Sequence, residues 1–188
     1  MTQPATEQIR WTTADLDLLP DTGDRYEIID GELLVTRALH WGHQKADGRI
    51  YTALDAWSQT TGLGETVPAP GIIFSDAENV IPDVVWTSHA RLALLLDDAG
   101  HLTAAPELIV EVLSPGVENQ RRDRDLKLRL YSARGVQEYW IIDWQAQQIE
   151  VYRRETAALR LVATLFARDE LTSPLLPGLT CRVAQLFA

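Results

Sequence analysis

Residues 108–113 read Leu-Ile-Val-Glu-Val-Leu, so Glu111 is the one ionisable side chain in an otherwise apolar run. An unpaired carboxylate in a buried strand costs on the order of several kcal/mol, and Glu111 therefore needs a partner. Asp83 follows Pro82 and opens Val84-Val85-Trp86, a second apolar strand that can lie beside the first. Two carboxylates converging from neighbouring strands repel each other unless a cation lies between them. With no Cys/His cluster nearby, an all-oxygen donor set favours a hard ion. Magnesium in particular binds through one or two carboxylates, keeps its waters and meets substrate phosphates. Such a site suits phosphodiester hydrolysis, where the metal polarises a phosphoryl oxygen and lowers the pKa of a bound water while a nearby ammonium offsets developing charge. Lys127 is the candidate ammonium. It lies in Arg121-Arg122-Asp123-Arg124-Asp125-Leu126-Lys127-Leu128-Arg129, the most basic segment of the chain, where Arg121, Arg122 and Arg124 are candidates for phosphate contacts.

Elements that can position these residues are legible around them. Pro106 and Ser114-Pro115-Gly116 bound the Glu111 run, which fits a central strand buried on both faces. The spacing predicts a helix over 119–134, with Leu126, Leu130 and Ala133 inward and Gly135 ending it. Tyr139-Trp140-Ile141-Ile142 then forms a second buried strand, and the order strand, helix, strand implies a right-handed crossover with parallel pairing. Upstream, Tyr26-Glu27-Ile28-Ile29 and Glu32-Leu33-Leu34-Val35 flank Asp30-Gly31, the signature of a type I′ hairpin. Its Glu27 and Glu32 fall on the face opposite Tyr26, Ile28, Leu33 and Val35, a face expected to meet solvent. A long helix over 40–61 follows, with Ala46, Ile50, Ala53, Leu54 and Trp57 on one stripe and Gly62 as its C-cap. His43 shares that stripe, where a core histidine is the simpler reading and a place at a cleft the sharper one. Strands over 71–74 and 80–86 are expected to pair with each other. Strands over 149–152 and 159–164 read as a hairpin, and 175–187 as cover without chemistry of its own.

No repeat or linker divides the 188 residues, so a single domain over 1–188 with a core spanning about 25–165 is expected. The lone Cys181 excludes an internal disulfide, the polar opening Met1–Glu7 lacks a signal-type apolar run, and no stretch reaches the roughly 20 apolar residues of a membrane span. Cytoplasm is the expected compartment, with no membrane partner. The net charge of −10 makes the global field repel nucleic acid, so any contact with it must use a local basic patch.

Each of these residues also suits a plainer structural role. Glu111 could reach solvent at a strand end, and Asp83 could serve turn chemistry. Asp123, four residues before Lys127, offers a helix-surface ion pair worth about 0.2–0.5 kcal/mol, and the interleaved Arg/Asp run suits a solvated helix face.

A wider pattern joins Pro82-Asp83, Pro106-Glu107-Leu108-Ile109-Val110-Glu111-Val112-Leu113-Ser114-Pro115, Asp123 with Lys127 and Tyr131, and Gly135-Val136-Gln137-Glu138-Tyr139-Trp140-Ile141-Ile142-Asp143. It resembles the Uma-type restriction endonuclease family of the PD-(D/E)XK nuclease superfamily. Tyr26-Glu27-Ile28-Ile29-Asp30-Gly31-Glu32-Leu33 and His43 are similar to that family's N-terminal signature. The resemblance implies an α/β, restriction-endonuclease-like core, a mixed sheet flanked by helices, with an N-terminal hairpin and a C-terminal strand extension. It implies a nuclease with Asp83 and Glu111 as metal ligands, the main-chain carbonyl of Val112 as a further ligand, Mg2+ as cofactor with Mn2+ as substitute, and Glu32 and His43 in auxiliary places. It also implies nucleic acid, DNA first, as partner. The superfamily's usual lysine, two residues after the acidic ligand, is Leu113 here, which moves that role to Lys127. Leu113 and the acidic charge keep two alternatives open: a nuclease fold retained as a binding module without turnover, and a structural homodimer. A homodimer also suits a nuclease cutting both strands.

Overall fold

The computed structural model describes residues 9–188, and the polar opening segment Met1–Glu7 lies outside them. A short helix α1 (Thr13–Leu16) precedes the hairpin of β1 (Arg25–Ile29) and β2 (Glu32–Thr36). Asp30 and Gly31 both have positive φ, 52° and 74°, which closes the hairpin as the sequence predicts. Helix α2 (Trp41–Thr61) is capped by the His40 ring, which accepts from the Gly42 N–H, and ends at left-handed Gly62.

Strand β3 (Gly64–Pro68) follows, then β4 (Ile72–Ser75), β5 (Glu78–Val80), β6 (Val84–Ser88) and helix α3 (His89–Leu95). The predicted strand over 80–86 is thus two strands. Pro82 cannot donate to a ladder, and the chain changes sheets across Ile81-Pro82-Asp83. Hence β4 pairs with β5, as expected for its upstream half, while β6 pairs with β3 and with β7 (Leu108–Val112). Strand β8 (Glu138–Asp143) runs parallel to β7, and β9 (Gln148–Glu155) and β10 (Ala158–Phe166) form the expected hairpin. The short strands β11 (Glu170–Leu171) and β12 (Cys181–Arg182) and helix α6 (Val183–Phe187) close the chain.

The result is a mixed six-stranded sheet, β10-β9-β8-β7-β6-β3, and a four-stranded antiparallel sheet, β2-β1-β5-β4. Strand alternation sorts the core into two layers. Val84, Trp86, Leu108, Val110, Val112, Trp140 and Ile142 meet Ala46, Ile50 and Leu54 of α2 and the C-terminal segment. Val85, Ile109, Leu113, Tyr139 and Ile141 meet Leu130 and Tyr131 of the crossover helix, together with Ile29, Ile72 and Val80 of the smaller sheet. Glu111 shares the second layer's side of β7. No helix among the described residues is long and apolar enough to cross a membrane.

The crossover departs from the predicted helix. It runs as α4 (Val117–Arg121), a π-helical segment (Arg122–Lys127) and α5 (Leu128–Arg134), ending at left-handed Gly135. Its inward residues are Asp123, Lys127, Leu130 and Tyr131, whereas Leu126 is only half-buried and Ala133 is exposed. A π turn adds about one residue and slips the helical phase, which brings residues spaced by four, 123, 127 and 131, onto one inner stripe. The Tyr139 hydroxyl donates to the Asp123 carbonyl at 3.1 Å and helps to satisfy the backbone there.

Candidate active site

Antiparallel register sets the acid pair. Val84 pairs with Val110, so Asp83, one residue before Val84, stands opposite Glu111, and the two line one cleft. Pro82 ends the run in the small sheet at this point, which frees Asp83 to project at the mouth of β6. Its Oδ2 accepts from the Val112 N–H at 2.8 Å and lies 3.3 Å from His43 Nε2, and its Oδ1 accepts from Arg25 at 2.9 Å. Burial alone would raise the Asp83 pKa. The His43 contact, the Arg25 charge and the Val112 N–H outweigh burial and hold the carboxyl well below the usual range.

Glu111 is held from the crossover helix and the hairpin. Lys127 Nζ donates to Glu111 Oε1 at 2.8 Å and lies 2.9 Å from Glu27 Oε1, while the Tyr131 hydroxyl donates to the same Glu111 oxygen at 2.8 Å. Glu27 Oε1 also accepts from the Ile81 N–H at 2.9 Å. Burial, opposed by Lys127 but reinforced by Asp83, Asp123 and Glu27, pushes Glu111 up to about 8. Burial works against the charge on Lys127 as well, but Glu111, Glu27 and Asp123 outweigh it and keep the ammonium protonated far above neutral pH. Lys127 is thus held as a positive charge between Glu111 and Glu27.

Of the residues singled out from sequence, Asp83, Glu111, Val112, His43, Lys127 and Arg122 meet at this cleft. Glu32, Arg121 and Arg124 lie elsewhere. Glu32 is exposed at the turn end of the hairpin, opposite Ile29 and beside Arg10 and Asp30. Arg124 points toward the far end of the large sheet, donating to Glu150 at 2.7 Å and to Asp143 at 3.3 Å, and Arg121 is exposed beside Asp125. The basic segment is therefore not one phosphate track: successive arginines leave the helix in different directions, and most are bound to carboxylates.

Sequence reading missed Glu27, Arg25 and Asp47, and it took Asp123, which the family-like pattern includes, only as a helix-surface partner of Lys127. Glu27 is 1 % exposed although its hairpin face was expected to meet solvent. That face packs against the ionic stripe of the crossover helix, a contact that no local pattern announces. Asp123 sits beside Arg122, and burial, ahead of the opposing Lys127 and Arg122 charges, raises its pKa. Asp47 stands one helical turn after His43, and burial together with Asp83 pushes it up to about 6. Among the described residues, His43 Nδ1 and Asp47 Oδ1 are buried with no hydrogen-bond partner.

Taken together, four carboxylates (Glu27, Asp83, Glu111, Asp123) face three permanent cations (Arg25, Arg122, Lys127) in a chamber of about 10 Å³, room for about one water-sized group. The excess negative charge must be met by a proton, which the raised Glu111 can hold, or by a bound cation. Among the described residues no group of three or more His, Cys, Asp or Glu side chains is arranged to hold a metal, so no closed protein cage is present. Two carboxylates with an acidic surplus nevertheless fit magnesium, which binds through few protein oxygens and retains water.

Comparison with known proteins agrees with this architecture. The crystal structure of "a putative nuclease belonging to DUF820 from Anabaena variabilis ATCC 29413" superposes with a TM-score of 0.73 at 18% identity, covering 94% of this chain and 97% of that one. At that identity the likeness establishes the fold. No protein with curated function matches the chain. A family model described as "Uma2: Putative restriction endonuclease" matches residues 13–184, nearly the whole of the described fold, and the chain accordingly belongs to the Uma2 family.

Proposed function

We propose that the protein is a Mg2+-dependent nuclease that hydrolyses phosphodiester bonds, with Asp83 and Glu111 as metal ligands and Lys127 as the positive charge at the reacting phosphate. The observation that carries this reading is the meeting of two strand-borne carboxylates and a buried ammonium in one cleft, with Lys127 2.8 Å from Glu111. Membership of a family whose description reads "Putative restriction endonuclease" agrees with it. A divalent ion held by Asp83, Glu111 and the Val112 carbonyl would supply Lewis-acid polarisation of the phosphoryl oxygen and an acidified water.

The chain's own residues account for the rest. Arg25, His43 and the Val112 N–H keep Asp83 ionised and fixed in direction. Tyr131 orients Glu111 and Lys127 balances its charge. With its proton retained at working pH, Lys127 can hydrogen-bond to the equatorial oxygens as charge develops on them. Arg122, anchored to Thr36 at 3.0 Å and beside Asp123, adds a second cation at the cleft wall. Leu113, at the superfamily's usual lysine position, belongs to the apolar core, so Lys127 takes up that role from the helix.

The test is cleavage of labelled DNA and RNA in Mg2+ and Mn2+ by the wild-type chain and by Asp83→Ala and Glu111→Ala. Each substitution should abolish metal-dependent cleavage; turnover that survives both would remove these residues from the mechanism. The binding-module alternative predicts nucleic-acid binding with a steep salt slope and no cleavage in either metal.

A further inference from the structure

The acid pair lies at the bottom of a recess. Asp83 and Glu111 are each 3 % exposed, and the chamber around them holds about 10 Å³. Two larger spaces adjoin it, one of about 470 Å³ and one of about 200 Å³, and Thr36 and Leu39 border all three. The segment between β2 and α2 therefore forms a rim shared by the acid chamber and both larger spaces. The larger space also shares Ser114 with the acid chamber, and its wall includes Asn119 and the His40 ring. That ring is stacked on Trp144 with centroids 4.6 Å apart and planes 15° from parallel. Arg37, exposed, stands on the same rim.

Size, charge and aromatic lining agree on what fits. A space of this volume lies within the roughly 300–1,000 Å³ of small-ligand pockets, the scale of one nucleotide. A base entering beside His40 extends an existing aromatic stack, a contact that binds any base by its π-face. Duplex DNA, by contrast, is a stiff rod with a persistence length of about 50 nm that carries a charge every 1.7 Å or so. Its backbone reaches a recess only by bending or by extruding a nucleotide, at a cost on the order of a few kcal/mol, and the duplex needs a broad cationic face. On this chain of net charge −10, Lys127 and Arg122 lie against Glu111 and Asp123, Arg124 against Glu150 and Asp143, and Arg121 beside Asp125.

We infer that the cavity beside His40 receives one unpaired nucleotide, so that the site acts on single strands and not on the interior of a duplex. The inference rests on the nuclease reading of the acid pair and adds its substrate class. It is tested with the full chain on an end-labelled single-stranded oligonucleotide and on the blunt duplex of the same sequence. Binding is read by anisotropy in chelator and cleavage in Mg2+ or Mn2+. The single strand should bind and be cleaved at least about tenfold better.

His40→Ser keeps a helix-capping oxygen while removing the ring, and should weaken single-strand binding by about tenfold. Arg37→Glu, on an exposed side chain, should weaken it as well and gives a second variant if the first folds poorly. Equal or better handling of the duplex, binding of neither nucleic acid, or affinity unchanged in both variants overturns the inference. Preferential single-strand binding that both variants weaken, with no cleavage in either metal, supports the nucleotide cavity and overturns the nuclease reading alone.

Discussion

Replacing Glu111 by glutamine isolates the electrostatic strain at the centre of the site. The amide keeps the shape of the side chain and an oxygen for the Lys127 and Tyr131 donors, each 2.8 Å away, but it cannot ionise. In the wild type, burial moves this carboxyl from an ordinary 4.5 up to about 8. The folded chain then holds a proton that the unfolded chain has already released. Stability from this group is present in full below about pH 4.5 and is lost as pH rises through about 8. At roughly 1.4 kcal/mol for each tenfold change, the loss is on the order of a few kcal/mol.

Urea unfolding between pH 5 and pH 9, in chelator, reads this directly. Near pH 5 the substitution should be close to neutral. With rising pH the wild type should fall relative to Glu111→Gln, until the variant is the more stable by a few kcal/mol. Millimolar Mg2+ should restore much of the wild-type loss and little in the variant, because a ligand that binds only the folded state stabilises it. Parallel pH profiles for the two chains would refute the reasoning, since Glu111 would then be as ionised in the fold as in solution. So would an equal response of both to Mg2+.

Other outcomes follow from the same contacts. Lys127→Met removes the cation shared by Glu111 and Glu27 and should cost about 3–5 kcal/mol at neutral pH in denaturant melts, because Glu27 is left buried without its counter-ion and Glu111 loses a hydrogen-bond donor. Arg124→Ala breaks the part-exposed pairs with Glu150 and Asp143 and should cost about 1 kcal/mol after allowance for solvent screening, with metal-dependent cleavage unchanged. A marked loss of cleavage in that variant would return Arg124 to the phosphate-binding set. Asp83→Asn should lower cleavage by at least about a hundredfold, read in steady-state assays on protein whose circular dichroism matches the wild type.

The parts of this fold that were legible in the sequence are those governed by local rules. Asp30-Gly31 dictates a hairpin because both residues accept positive φ. The Ala46, Ile50, Leu54 stripe with Gly62 dictates α2, and the unbroken apolar run around Glu111 dictates a strand buried on both faces. Legibility stopped where long-range packing overrides the local pattern. The apolar rule chose Leu126, Leu130 and Ala133 as the inner face of the crossover helix. The π turn and the buried carboxylates opposite it turned Asp123 and Lys127 inward instead, since each charge there has an oppositely charged neighbour. For the same reason Glu27 was invisible: a glutamate in a hairpin reads as solvent-facing until a buried lysine is known to stand across from it. Strand β3 escaped notice because Gly64-Glu65-Thr66-Val67-Pro68 is short and half polar, and it is a strand only by pairing with β6 at the sheet edge. Glu111 stood out because an ionisable side chain is improbable in an apolar run, Asp83 was chosen as its partner from a neighbouring strand and Lys127 from the basic helix that follows, whereas Arg25 and Asp47 are ordinary in their settings and drew no notice.

The most direct test of the account is anomalous diffraction from crystals soaked in Mn2+, which locates the ion without reference to activity. One peak is expected between the Asp83 and Glu111 carboxylates, with metal–oxygen distances of about 2.0–2.3 Å. The Lys127 ammonium should still line the same cleft. Crystals that bind Mn2+ only elsewhere, at a concentration that supports cleavage in solution, would contradict a metal centre built on these two acids.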